Sequence, residues 1–253
     1  MSDIEKLRIA DQNNFEVAWR SMGDSGTLVE DLVELYAYLG DLVKRSGVVP
    51  SDEIVAGSMF LLACRYQLVV GAITAVRGHL NDSGYFTRKA IELCAFAVRI
   101  KNDPTLAMKW LTAWKDGSSY KEFRKEFRSK KLFPMGHELL RQLYDRYDFW
   151  SKMVHPSVFS FGGHVEATRG QDVFELEYSY SQLRDADPSE PIRTFLSIVD
   201  THFGILRVFE EILSDVITFD KAGWEVRRNA VDAKLAVHKH KWREVLLHMG
   251  DHK

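Results

Sequence analysis

The chain has 253 residues, 45% of them apolar and 28% charged, with a formal charge of −2. That length suffices for one large domain or two small ones, and the charge argues against a protein that coats nucleic acid through its overall field. Six prolines and sixteen glycines favour long helices, while two cysteines, Cys64 and Cys94, give no disulfide framework and fit a reducing cytoplasm.

Apolar periodicity predicts helix after helix. The first two, over 3–22 and 27–46, flank the turn "GDSG"; the first is acidic and amphipathic and lacks a signal-peptide layout. The third, over 51–80, opens on "PSDE", a serine cap followed by two acids at the positive helix end. Its stretch Ile54–Val76 has membrane-spanning length. Arg65 and Gln67 at its middle oppose insertion, the arginine by roughly 2.5–3.5 kcal/mol. A buried central helix, with no membrane partner, is the expectation.

The fourth helix, over 84–101, follows "NDSG" and is apolar almost all round, as buried helices are. Arg88, Glu92 and Arg99 fall on one stripe of it, and buried charges must be paired. They form either a structural ion-pair network or the floor of a polar pocket with Glu92 as acid, base or ligand anchor. Helices over 104–116 and 118–130 follow "NDP" and "KDGSS". In the second, Tyr120, Phe123 and Phe127 are spaced as a core face, leaving its basic residues solvated; an RNA-stacking surface is the alternative.

The seventh helix, over 135–154, presents Leu140, Leu143, Tyr144, Tyr147, Trp150 and Val154 as a core stripe. Tyr144, Asp148, Ser151 and His155 share an adjoining face, and Pro156 puts His155 at the carboxyl end, where the helix dipole favours imidazolium. His155 is either a cap paired to Glu92 or Asp148, or a group doing chemistry. An excursion over about 161–182 then carries hairpin patterning, with arms at about 163–169 and 172–180 around "RGQD". Two long helices, over 189–218 and 222–249, close the chain. His238 and His240 lie on different faces of the last helix and cannot share a metal; His238 belongs to the core or an interface. No phosphate loop, dinucleotide fingerprint, zinc motif or nucleophile elbow occurs, so neither cofactor nor metal is expected. The architecture is one all-α domain over 1–253: a multi-helix bundle with a small β-hairpin inserted before the last two helices.

The order of an Arg-x-x-x-Glu helix, "NDP", a tryptophan-bearing helix and a tyrosine-rich helix ending "S-x-x-V-H-P-S" resembles an uncharacterised bacterial helical family at the edge of the HEPN superfamily. The similarity covers about Tyr66–Ser157. The resemblance implies a helical bundle, a homodimer, and a setting in stress or phage response. Active HEPN members cleave RNA without metal through an Arg-x(4–6)-His motif. Here Ser151 and His155 occupy the polar and histidine positions, but Trp150 stands where the arginine belongs. Arg146 lies too far upstream, and an indole cannot neutralise a phosphate. The reading is therefore a cytoplasmic interaction or regulatory module. One alternative is a ribonuclease using His155 and Ser151 with Arg88 or Arg146. Another is a small-ligand pocket at Arg88, Glu92 and His155.

Overall fold

A computed structural model of the chain describes residues 1–127, 132–133, 136–154, 165–169, 174–178, 188–217 and 220–250. Helix follows helix: α1 (Asp3–Met22), α2 (Thr27–Arg45), α3 (Asp52–Val76), α4 (Leu80–Asn102), α5 (Thr105–Leu111), α6 (Gly117–Glu126), α7 (Glu138–Val154), α8 (Ser189–Ser214) and α9 (Lys221–Gly250). Side-chain caps mark several starts. Ser2 Oγ accepts from the Glu5 amide, Ser51 Oγ from Ile54, and Asp116 from both Ser118 and Ser119. The chain is an all-α bundle. Between α7 and α8, Val165–Arg169 and Phe174–Tyr178 pair antiparallel, with Val165 opposite Tyr178 and Arg169 opposite Phe174.

α8 is the axis of the fold, because both polar and apolar positions along it are enclosed: Ile192, Phe195, Val199, Thr201, His202, Leu206 and Phe209 are all buried. It packs against α2, α3, α4, α7 and α9. α3 and α4 form the most extensive helix pair, and α7 lies on α4. Their shared core contains Phe60, Cys64, Leu68, Ile91, Cys94, Val98, Leu140, Leu143 and Trp150.

The α3–α4 junction differs from the sequence expectation. The break falls at 77–79, where Gly78 adopts φ 86°, a left-handed conformation that ends α3. "NDSG" is not a turn but the first part of α4, in which Ser83 Oγ donates to the Leu80 carbonyl at 2.6 Å. Gly84 is a close-approach glycine: a Cβ there would stand 3.2 Å from the Trp150 ring of α7. α5 is also shorter than its pattern; the Thr112 hydroxyl donates to the Met108 carbonyl just as the helix ends.

The expectation of a buried central helix holds for one face of α3. Its inner face (Ala56, Phe60, Cys64, Leu68, Ala72) is enclosed, but Val55, Met59, Leu62, Tyr66 and Ile73 are exposed. Among the described residues it is also the one helix long and apolar enough to cross a membrane.

α9 joins the bundle through buried Trp224, Val231, Leu235 and Trp242 and through several polar joints. Arg228 makes two bonds to the Glu210 carboxylate, at 2.6 and 2.7 Å, and Lys234 reaches Asp31 on α2. Deeper in, His238 Nδ1 lies 2.8 Å from Ser25 Oγ, which accepts from the Trp242 indole N–H at 2.9 Å. An indole can only donate, so the serine proton is free to go to His238 Nδ1, which places the histidine's own proton on Nε2. His238 is thus a buried core residue, as its position on the stripe implied.

Candidate functional site: a closed polar seam and an open groove

The Arg-x-x-x-Glu spacing puts Arg88 and Glu92 one turn apart on α4, facing Tyr147 of α7. The three close a triangle. The Tyr147 hydroxyl donates to Glu92 Oε1 at 3.2 Å and accepts from an Arg88 terminal nitrogen at 3.2 Å. That same nitrogen stands 3.1 Å from Glu92 Oε1, and the guanidinium carbon lies 5.2 Å from the Tyr147 ring centroid. Desolvation pulls the Arg88 pKa down, but the bond to Tyr147 and the Glu92 charge outweigh it and hold it above its ordinary value. Lys89 adds a longer contact to Glu92 Oε2, at 3.9 Å. The space left beside Tyr85, Arg88, Lys89 and Glu92 is 80 Å³, room for a few waters and not for a nucleotide. Glu92 Oε1 is already engaged twice, and through Tyr147 the triangle ties α4 to α7.

The other predicted residues disperse. Arg99, two turns on from Glu92, leaves the stripe's network: it donates to the Glu126 carbonyl and lies against the Phe127 ring, clamping α6. Tyr144 is half exposed and packs edge-on to Phe133, outside the core stripe assigned to it. Asp148 is an exposed partner of Lys152 at 2.7 Å. Ser151 Oγ donates back to the Tyr147 carbonyl at 2.7 Å, the habit of a mid-helix serine. Arg146 points away from Arg88, toward α8. The face predicted for Tyr144, Asp148, Ser151 and His155 is therefore spent on local bonds as far as Ser151. His155, and the pairings expected for it, lie outside the described residues. On α6, Phe123 and Phe127 take the core positions expected of them, while Tyr120 stays exposed with Arg124 over its ring.

A site that the motifs did not point to lies on α8. Arg193, Leu196, Ser197 and Asp200 recur at i, i+3, i+4 and i+7, a polar-edged stripe on an otherwise enclosed helix. This stripe is the floor of a groove whose walls are α7 and α9. The larger basin, 690 Å³, is lined by Leu196, Leu235, Ala236 and Trp242, with Arg193, His240 and Arg243 among its charged and imidazole groups. The smaller, 380 Å³, has Phe149 and Trp150 on its α7 side. Asp200 belongs to both. Its Oδ2 receives Arg146, which also donates to Thr201 Oγ1 at 3.2 Å, and its Oδ1 receives Lys239 at 3.0 Å. Two cations thus saturate the one acid on the floor. The Trp150 indole N–H is buried without a hydrogen-bond partner.

No group of three or more metal-ligating side chains occurs among the described residues. The chain matches no protein-family model, no curated protein and no solved structure.

Proposed function

We propose that the chain is a helical regulatory module that binds a small amphipathic acid in the groove over α8, with an apolar body between Leu196, Leu235 and Trp242 and a carboxylate toward Arg243 and His240. The observation that carries this reading is the saturation of Asp200. With Arg146 and Lys239 both committed to it and Arg193 paired to Glu190, Arg243 is left as the cation of the larger basin that makes no ion pair among the described residues, although Asp232 also lines that basin. Cavities of about 300–1,000 Å³, mostly apolar with a few polar anchors, are the usual size for small ligands.

8-Anilinonaphthalene-1-sulfonate, an aromatic anion, is a direct probe. Wild type is expected to bind it saturably, with decanoate as competitor. Ala236→Trp, which fills the basin, and Arg243→Glu, which reverses its charge, are each expected to weaken binding at least tenfold with circular dichroism unchanged. Equal binding by all three proteins sinks the reading.

The ribonuclease reading is favoured by one observation: Arg88 reaches α7 from a neighbouring helix at Tyr147, one turn before Ser151. To supply the guanidinium that Trp150 cannot, it has to leave Glu92 and Tyr147. Under this reading, purified wild type cleaves a pool of structured and single-stranded RNA, and Arg88→Ala and His155→Ala both abolish cleavage. Equal inertness of wild type and both variants removes it.

A further inference from the structure

The outer face of α3 carries a second pattern. Val55, Met59, Leu62, Tyr66, Val69 and Ile73 are separated by four, three, four, three and four residues, the spacing of a coiled-coil seam. Leu62 and Tyr66, at its centre, are 59% and 61% exposed; Val55, Met59 and Ile73 are exposed as well, and Val69 is half-buried. The stripe runs about 27 Å at a rise of about 1.5 Å per residue. Scattered exposed apolar residues need no explanation, but an aligned row of this length does.

We infer that this face is a self-association seam, on which a second copy of the chain packs α3 against α3 in antiparallel orientation about a two-fold axis. The inference is independent of the groove over α8. Two features specify the occupant. First, the spacing reads the same in both directions. Reversing the helix pairs Leu62 with Tyr66, Met59 with Val69 and Val55 with Ile73, so each copy presents the same patch to the other, as a two-fold contact requires. Second, the ends carry opposite charge. Asp52 and Glu53 lie at the amino end and Arg77 just past the carboxyl end, with no ion pair within the chain among the described residues. Antiparallel packing sets the acids of one copy beside the arginine of the other and aligns the two helix dipoles favourably. A parallel pair would stack like charges. Near the centre, the interior-facing Gln67 keeps a buried side-chain oxygen without a partner.

A single helix pair of this length covers less than the ~800 Å² per partner of a standard interface, so the dimer is expected to be concentration-dependent rather than permanent.

Sedimentation equilibrium of the full chain tests the proposal. Wild type is expected to pass from monomer to dimer across the micromolar range. Leu62→Asp, and separately Tyr66→Lys, should weaken association at least tenfold with the helical signal intact, both positions being exposed; Val237→Asp on α9 should not. Cysteines introduced as Val55→Cys in one preparation and Ile73→Cys in another should cross-link to each other on mixing, and neither to itself. Four outcomes overturn the proposal: a wild-type monomer at all concentrations, an undisturbed dimer in both seam variants, self-cross-linking of either single variant, or a monomer that floats with phosphatidylcholine vesicles through this face.

Discussion

His202 is the residue whose chemistry is most constrained by its surroundings. It is wholly enclosed, with Nδ1 3.0 Å from the Tyr36 hydroxyl and Nε2 without a partner. Burial pushes the Tyr36 hydroxyl well up, so it remains a donor and the imidazole accepts at Nδ1 as a neutral ring. Burial likewise lowers the His202 pKa from 6.5 to about 3. In the unfolded chain the ring takes a proton below about pH 6.5, whereas in the folded chain it resists until about pH 3. The unfolded state therefore binds more protons in that window, and stability present above pH 6.5 is lost as the pH falls toward 3. The shift corresponds to about 5 kcal/mol at its limit. His238 works in the same direction: burial, then Lys241 and Lys234, lower its pKa against the pull of Asp24 and Asp31. Urea unfolding at pH 7 and pH 4 should show a steep acid loss in wild type and a much shallower one in His202→Leu. Parallel profiles would assign the acid sensitivity elsewhere.

Among elements, the α4–α7 seam depends on a missing side chain. Gly84 lets the helices close onto Trp150, which is fully buried. Gly84→Val should lower stability by about 1–3 kcal/mol through overpacking, despite valine's better helix propensity. Gly40, mid-α2, is the contrast: a Cβ there meets nothing within 4 Å. Gly40→Ala should raise stability by about 0.5–1 kcal/mol. Thermal melts of the two variants against wild type check both signs at once, and a Gly84→Val protein as stable as wild type would mean that the seam can open without cost. The Arg88–Glu92–Tyr147 triangle sits along this same seam, so its register and the fit at Gly84 rise or fall together.

At the scale of the whole molecule, three unlike regions stand out among the described residues. The α3 face is apolar and straight, the α8 groove is concave and carries charges of both signs, and the α4–α7 seam is polar and closed. The first is proposed to meet a second copy and the second a small acid, while the third joins α4 to α7. If α3 pairs, the melting temperature of wild type should rise with protein concentration, because a partner that binds only the folded state stabilises it by mass action. Leu62→Asp should melt at a concentration-independent temperature.

The succession of helices, with α1, α2, α7 and α8 close to their drawn limits, was legible because amphipathic periodicity, Ser and Asp caps and turn residues act over a few positions of chain. So was the pairing demand on Arg88 and Glu92, since spacing alone places them on one face and burial forbids their isolation. What spacing could not say is which neighbour answers each charge. Glu92 finds Tyr147, but Arg99 turns to α6 and Arg146 to Asp200, because partners come from helices far away in sequence. The same limit hid the groove: Arg193 and Asp200 look like ordinary surface charges until α7 and α9 rise on either side of them. α3 shows the converse. Its composition says only that it is long and largely apolar, and the packing of α2, α4 and α8 decides which part of that apolar surface is enclosed and which faces out. Local rules depend on chain neighbours and are written in the sequence; exposure and partnership depend on how the helices pack, and only the tertiary structure decides them.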